Sequence, residues 1–302
     1  MAFRLRGRRP IDRELRRLVR KDLDQAIEAL ADGATHGGGI HDARKRLKKV
    51  RAVLRLLHDA RGPDYDTHNS ALREAAHRLS TLRDAEVLRE TFTALHGRYA
   101  SVMSRRAVRR IDAELERHAR REQRQDAQLR TEAVRILEMQ RDEVIEAVDS
   151  AGSRGAVRDG LERSYRRARR AVPGAGLDAG PADFHLWRRR VKDVWYQVSL
   201  FERSRRDARD MAAALKGLEQ ALGDDHNLAV LRDTMTAAPK RYGDAESVAV
   251  VLGCITRRQR ALRLRALDMG ARLFAQPPKR LRRRARGWIH ILKVSRGQVR
   301  NA

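Results

Sequence analysis

The sequence predicts an all-α protein of long helices arranged in two related halves, and three observations carry that prediction. Ile40 to Leu57, IHDARKRLKKVRAVLRLL, spaces Ile40, Ala43, Leu47, Val50, Leu54 and Leu57 at alternating gaps of three and four residues. That is the seam of a helix packed into a bundle. The seam returns at Phe184 to Phe201, FHLWRRRVKDVWYQVSLF, where His185 follows His41 by 144 residues. A second block, LSTLRDAEVL at Leu79 to Leu88, returns as LGDDHNLAVL at Leu222 to Leu231, with His226 following Arg83 by 143. Two blocks repeating in order point to an internal duplication, with a first half over 1–151 and a second over 152–302. Charged residues make up 35% of the chain and aromatics 4%, which suits long amphipathic helices rather than a β-sandwich.

Each element follows from local pattern. The first helix is expected from Pro10, a residue suited to the first helical position, through Leu15, Leu18, Leu23, Ile27 and Leu30 to Gly33. The glycines Gly37, Gly38 and Gly39 lead into the organising helix, which ends before Gly62-Pro63. A third helix is expected over about Asp64 to His96, kinked near Arg83-Asp84. A helical pattern then runs from Ser101 to about Val148, with Val102, Val108, Ile111, Leu115, Leu129, Val134, Leu137 and Ile145 on its apolar side. Its polar middle, HARREQRQDAQ, either projects from the bundle or links the halves. Gly152 and Gly155 mark the boundary.

In the second half, Val157 to Val172 forms a helix, PGAGLDAGP a flexible connection, and Phe184 to Phe201 the second organising helix. Arg205 to Leu222 and Leu228 to Ala237 are expected as a kinked third helix, and Glu246 to Phe274 as a fourth, stopped by Pro277-Pro278. The basic C-terminal segment from Arg280 closes the chain with one more helix, docked through Trp288, Ile291 and Leu292.

The chemistry lies beside the seams. Moving each seam position of the first organising helix by one residue gives His41, Arg44, Lys48, Arg51 and Arg55. One residue is about 100° of turn, so this basic stripe flanks the core and faces a neighbouring helix or groove. The second copy keeps His185, Arg188 and Lys192 in register and matches Lys45 with Arg189, whereas Arg51 and Arg55 give way to Trp195 and Ser199. His41 follows the glycine loop and His185 follows Asp183, a candidate N-cap. Free amides and the positive end of a helix dipole make such starts suited to phosphate. If the histidines meet phosphate as imidazolium, affinity rises as pH falls through about 6.5. Arg44, Lys45, Lys48, Arg188, Arg189 and Lys192 extend the site into a row, with arginine supplying bidentate bonds and lysine mobile charge.

Further positions carry two readings each. Tyr196 offers a phenol to phosphate, and packing beside Trp195 explains it equally well. Arg83 and His226 stand before expected helix breaks, as ligand contacts or as structural caps. Arg46, Arg190 and Lys49 fall further round, with Lys49 expected in solvent. Arg105, Arg106, Arg109, Arg110, Arg257 and Arg258 read as solvated faces before they read as groove walls.

These motifs carry a family resemblance. The paired H-x-x-R-[KR]-R-x-K helices, the Arg83-Asp84 and His226-Asn227 positions, YRRARR at Tyr165 to Arg170 and LFAQPPKRL at Leu273 to Leu281 resemble the CHAD domain, the "conserved histidine α-helical domain". The resemblance extends from about Ile11 to about Leu292. It implies two four-helix bundles related by a pseudo-two-fold axis and a basic surface that binds inorganic polyphosphate. A stand-alone CHAD domain is expected, without the triphosphate-tunnel (CYTH) domain that is a frequent fusion partner in the family.

Composition bounds the function independently. Lysine and arginine outnumber acids 67 to 40, giving +27, so a polyanion would relieve self-repulsion as well as being drawn in from a distance. No secretory signal and no membrane-length apolar run appear, so a cytoplasmic protein is expected, placed on polyphosphate granules if the resemblance holds. The single cysteine, Cys254, excludes an intramolecular disulfide and reads as a small buried apolar residue. Three classes compete. The first is a non-catalytic polyphosphate binder with no cofactor. The second is nucleic-acid binding, which the charge supports but the scarcity of stacking aromatics does not. The third is histidine-based metal chelation or phosphate enzymology, against which no carboxylate cluster or Gly-rich phosphate loop is found.

Overall fold

In the computed structural model, which describes residues 3–7, 9–31, 38–60, 64–123 and 126–294, the chain folds into α-helices with no strand among the described residues. The first half supplies α1 (Ile11–Ala31), α2 (Gly38–Leu56), α3 (Asp64–Arg78), α4 (Ser80–Tyr99), α5 (Arg105–Gln123) and α6 (Asp126–Ala151). The second supplies α7 (Arg154–Arg170), α8 (Pro181–Ser199), α9 (Arg206–Ala237), the short α10 (Pro239–Tyr242), α11 (Ala245–Leu273) and α12 (Pro278–Val294).

α2 is the hub, as its seam predicts: it packs on α1, α3, α7 and α8. Its C-terminal half is buried all round, with Leu47, Val50, Ala52, Val53, Leu54 and Leu56 fully covered. The end of α8 is buried in the same way, and Gln197 Nε2 donates to the carbonyl of Ala52 at 3.0 Å, tying the two helices together. α7 crosses the end of α2 so closely that a Cβ at Gly160 would fall 1.8 Å from the Leu56 carbonyl oxygen. Only glycine fits that approach. α1 and α3 pack on α6, α7 on α8 and α12, and α9 on α8, α11 and α4. One continuous apolar core joins both halves.

Several elements differ from the sequence reading. The first helix begins one residue after Pro10, whose carbonyl accepts from Glu14 N at 3.0 Å and so opens the helix as its cap. Gly33 and Gly37 lie outside the described residues. The expected kink near Arg83-Asp84 sits earlier, at Leu79, where φ −88° and ψ 3° separate α3 from α4. The run from Ser101 divides into α5 and α6, and Val102 is 56% exposed while its neighbour Met103 is buried. α9 does not break: it runs continuously through Gly223 and His226. In the closing helix Trp288 is buried as expected, but Ile289 rather than Ile291 accompanies it; Leu292 lies outside the described side chains. Cys254 is buried, and that burial pushes its thiol pKa up.

The two segments quoted for the family resemblance turn out to lock onto each other. Tyr165 Oη donates to the carbonyls of Leu273 at 2.8 Å and Gln276 at 3.1 Å, and Arg169 Nε donates to that of Phe274 at 3.0 Å. The open C-terminal carbonyls of α11 thus find donors on α7.

Candidate functional site

A cleft of about 450 Å³ lies between α2, α4, α8 and α9. Three helical stripes line it. α2 contributes His41, Arg44, Lys45 and Lys48; α8 contributes Arg188, Lys192, Trp195 and Tyr196; α9 contributes Glu219, His226, Asn227 and Val230. Val87 and Leu88 of α4 form an apolar wall. Each stripe repeats at three- and four-residue steps, so each is one face of its helix.

The arrangement concentrates positive charge. Lys192 Nζ meets Glu219 Oε1 at 2.8 Å, and Arg188 Nη2 lies 3.8 Å from the same oxygen. Among the described residues Glu219 is the single carboxylate on the lining. In the first half, 143 residues before Glu219, stands Ala76. Glu219 acts on Lys48 as well, but more weakly than the cations around it. Arg44 instead donates to the Ala76 carbonyl at 3.1 Å, in the last turn of α3, where the helix dipole favours a cation. Burial first, then the charges of Lys192, Arg44 and Arg188, lower the Lys48 pKa to about 7. Burial also lowers that of Lys192, against the pull of Glu219. Gly223 of α9 makes room for Arg188: a Cβ there would lie 3.5 Å from Arg188 Nε, a buried atom with no hydrogen-bond partner.

The histidines behave differently from the sequence reading. α8 is capped at Gly180, whose N–H donates to Asp183 at 3.1 Å, so Asp183 is the third helical residue and His185 the fifth. His185 therefore lies beyond the free amides of the helix start. Its Nδ1 faces His226 Nδ1 at 3.1 Å at the edge of the cleft. One of the two must donate and the other accept, which fixes opposite tautomers. Burial, then Arg188, His185 and Lys192, depress the His226 pKa to about 4, and burial followed by Arg189 and Arg188 lowers that of His185. Both rings favour the neutral form in the empty cleft, so the imidazolium expectation is corrected at His185. Among the described residues no three His, Cys, Asp or Glu side chains converge as a metal site requires.

The remaining sequence candidates distribute as follows. His41, Arg44, Lys45, Lys48, Arg188, Lys192, Tyr196 and His226 come together on the lining. Tyr196 also stacks on Trp195 at 4.7 Å, so both of its readings hold, and burial raises its phenol pKa and keeps it a donor. Arg189 is exposed outside the cleft. Arg51 and Arg55 leave the stripe: Arg51 Nε donates to Asn69 at 3.1 Å, and Arg55 Nη2 pairs with the buried Asp193 of α8 at 2.7 Å. They hold α2, α3 and α8 together instead of facing a ligand, and burial lowers the Arg51 pKa to about 10. The side chain of Arg83 lies outside the described residues. Lys49, expected in solvent, reaches Asp22 at 3.6 Å and covers the Phe3 ring at 5.4 Å. None of Arg105, Arg106, Arg109, Arg110, Arg257 and Arg258 lines the cleft.

Glu219, Asn227 and Val230 were missed, and the signal was present. Glu219, Gly223, His226, Asn227 and Val230 form one stripe at helical spacing, which the expected break after Leu222 cut in two.

Comparison with known proteins bears on this geometry. The CHAD-domain family pattern matches residues 5–236, most of the chain. The chain belongs to the CHAD-domain family. Among solved structures this CHAD domain is similar to PptA from Streptomyces chartreusis, at 16% identity and a TM-score of 0.62, over 89% of this chain and 100% of that one. It is similar also to the CHAD domain from the plant Ricinus communis, at 18% identity and a TM-score of 0.59, over 91% and 95% of the two chains. At those identities the likeness speaks for the fold alone. No curated protein sequence matches the chain. Among the described residues no helix of this CHAD domain is long and apolar enough to cross a membrane.

Proposed function

We propose that this CHAD domain binds inorganic polyphosphate in the α2–α8 cleft without turning it over, and that this binding places the protein on polyphosphate granules. The observation that supports the reading is the convergence of Arg44, Lys45, Lys48, Arg188 and Lys192 on one cleft whose lining holds a single carboxylate among the described residues. In the empty protein burial first, and then the neighbouring cations, lower the Lys48 pKa to about 7. A linear chain of phosphates relieves the repulsion, and water exclusion by Val87, Leu88 and Trp195 strengthens each ion pair formed. Among the described residues the lining presents no nucleophile paired with a general base and no metal-ligand set, which supports the reading that the cleft holds its ligand.

A competition titration at physiological salt tests the reading, with long-chain polyphosphate against mixed-sequence single-stranded DNA of matched charge. Polyphosphate is expected to win by orders of magnitude, and the preference to vanish when Arg44, Lys48, Arg188 and Lys192 are all changed to Glu. Equal binding of the two polymers would reduce the site to a generic effect of the +27 charge.

A further inference from the structure

We propose that the outer face of α1 is a second binding track for the same polyphosphate chain, separate from the α2–α8 cleft. A concavity of about 570 Å³ runs along this helix and is lined by Arg9, Arg13, Arg16, Arg17, Arg20 and Lys21, with Asp24 at one end. The carboxylate on this lining, Asp24, is held by Arg141 of α6 at 2.6 Å. Among these cations Arg16 pairs with Asp149 at 3.0 Å and Arg17 with the buried Glu14 at 2.9 Å, and Lys21 is engaged as well. Arg9 and Arg20 are exposed and have no ion-pair partner among the described residues. Arg13 is 57% exposed, with Asp12 at 3.8 Å and Asp149 at 4.0 Å, contacts too long and too wet to neutralise it. Arg17 Nε is a buried donor without an acceptor, as Arg188 Nε is in the main cleft.

The geometry selects the ligand. Arg13, Arg16 with Arg17, and Arg20 recur every three or four residues, so they form one row along the helix spanning about 11 Å, and Arg9, just before the helix, lines the same concavity. A single row matches a single-file polyanion. Duplex nucleic acid presents two phosphate rows, and single strands are held by stacking aromatics, of which this lining has none. α1 is also the packing neighbour of α2, which carries Arg44 and Lys48, and adjacent helix axes lie about 8–10 Å apart. A chain leaving the main cleft is therefore captured a second time at high effective concentration.

This inference rests on the proposed function, and the experiment separates the two. The test variant is the triple Arg9→Gln, Arg13→Gln, Arg20→Gln, at exposed positions that leave the Arg16 and Arg17 pairs intact. The control is Arg209→Gln, Arg260→Gln, Arg265→Gln, which removes the same charge from exposed positions elsewhere. Affinities are measured for tripolyphosphate, too short to leave one site, and for a chain of ~100 phosphates, where the second track should contribute about 10- to 100-fold. The α1 variant is expected to lose that factor for the long chain and to keep its tripolyphosphate affinity, with the control unchanged. Long-chain affinity equal to wild type, an equal loss in the control, or a loss confined to single-stranded DNA would each overturn the α1 track. Glu substitution of Arg44, Lys48, Arg188 and Lys192 reports on the main cleft independently, because it should remove tripolyphosphate binding whichever way the α1 result falls.

Discussion

Lys48 is the residue on which binding and stability pull in opposite directions. Its pKa in the folded protein is about 7, below the 10.5 of a free lysine, because burial and then Lys192, Arg44 and Arg188 disfavour its charge. Between those two values the unfolded chain binds a proton that the folded chain lacks, so stability rises with pH across that window. Below about pH 7 the folded protein bears the full cost of the buried ammonium. Lys48→Met is therefore expected to stabilise the empty protein at pH 6 by roughly 1–3 kcal/mol in urea unfolding. That range is discounted from the full linkage value, which grows by about 1.4 kcal/mol for each tenfold loss of proton affinity. The same variant should bind polyphosphate more weakly; a loss of stability instead would mean that Lys48 serves the packing. Binding a polyanion restores the ammonium, so complex formation should take up as much as about one proton between about pH 7 and 8. Calorimetry in buffers of different ionisation heat measures that uptake. Lys48→Arg, which stays charged, should abolish most of it, since His226, near 4, does not titrate over this range.

At the scale of the element, α9 decides how the cleft is walled. Gly223 sits in the interior of this helix, where glycine costs about 1 kcal/mol relative to alanine. The space it leaves is taken by the Arg188 guanidinium. Gly223→Ala places its Cβ in ordinary contact with Arg188, so it should raise stability by up to about 1 kcal/mol and leave polyphosphate affinity in place. Gly223→Leu must displace the guanidinium, and about tenfold weaker binding is expected from the loss of one bidentate phosphate contact. Equal affinity in both variants would show that Arg188 needs no such seat. The fate of α2's stripe belongs to this scale too. His41, Arg44 and Lys48 face the cleft, whereas Arg51 and Arg55, one and two turns further on, meet Asn69 and Asp193 at the junction with α3 and α8. The uncharged Trp195 and Ser199, 144 residues on, were the sign in the sequence that those two positions differ.

For the whole molecule the salt dependence is the informative quantity, because it counts cations rather than locating them. The cleft holds five arginines and lysines. With the single-strand coefficient of about 0.7 per neutralised phosphate, a short polyphosphate should give a slope of log affinity against log salt near −3.5. A long chain that also engages Arg9, Arg13 and Arg20 should steepen it to about −5 to −6. A flat response would sink the groove reading, and identical slopes for short and long chains would speak against the α1 track. The fields from both faces add to a molecule already at +27, so association should be fast at low salt and slow markedly as salt is added.

The sequence by itself determined the helices, the two seams and the basic stripes beside them, because helical periodicity and charge pattern are properties of consecutive residues. It located eight side chains of the cleft in this way, and the matching registers of His41 with His185 and Lys48 with Lys192 marked α2 and α8 as its walls. Only the tertiary structure decided which stretch of each stripe faces a neighbour's charge and which faces open space. The burial that drives Lys48 toward neutrality, the seating of Glu219 beside Lys192, and the diversion of Arg55 to Asp193 all depend on how helices cross. The continuity of α9 through Gly223 belongs with them. A glycine reads locally as a break, and it is the packing of Arg188 against α9 that makes its missing side chain useful.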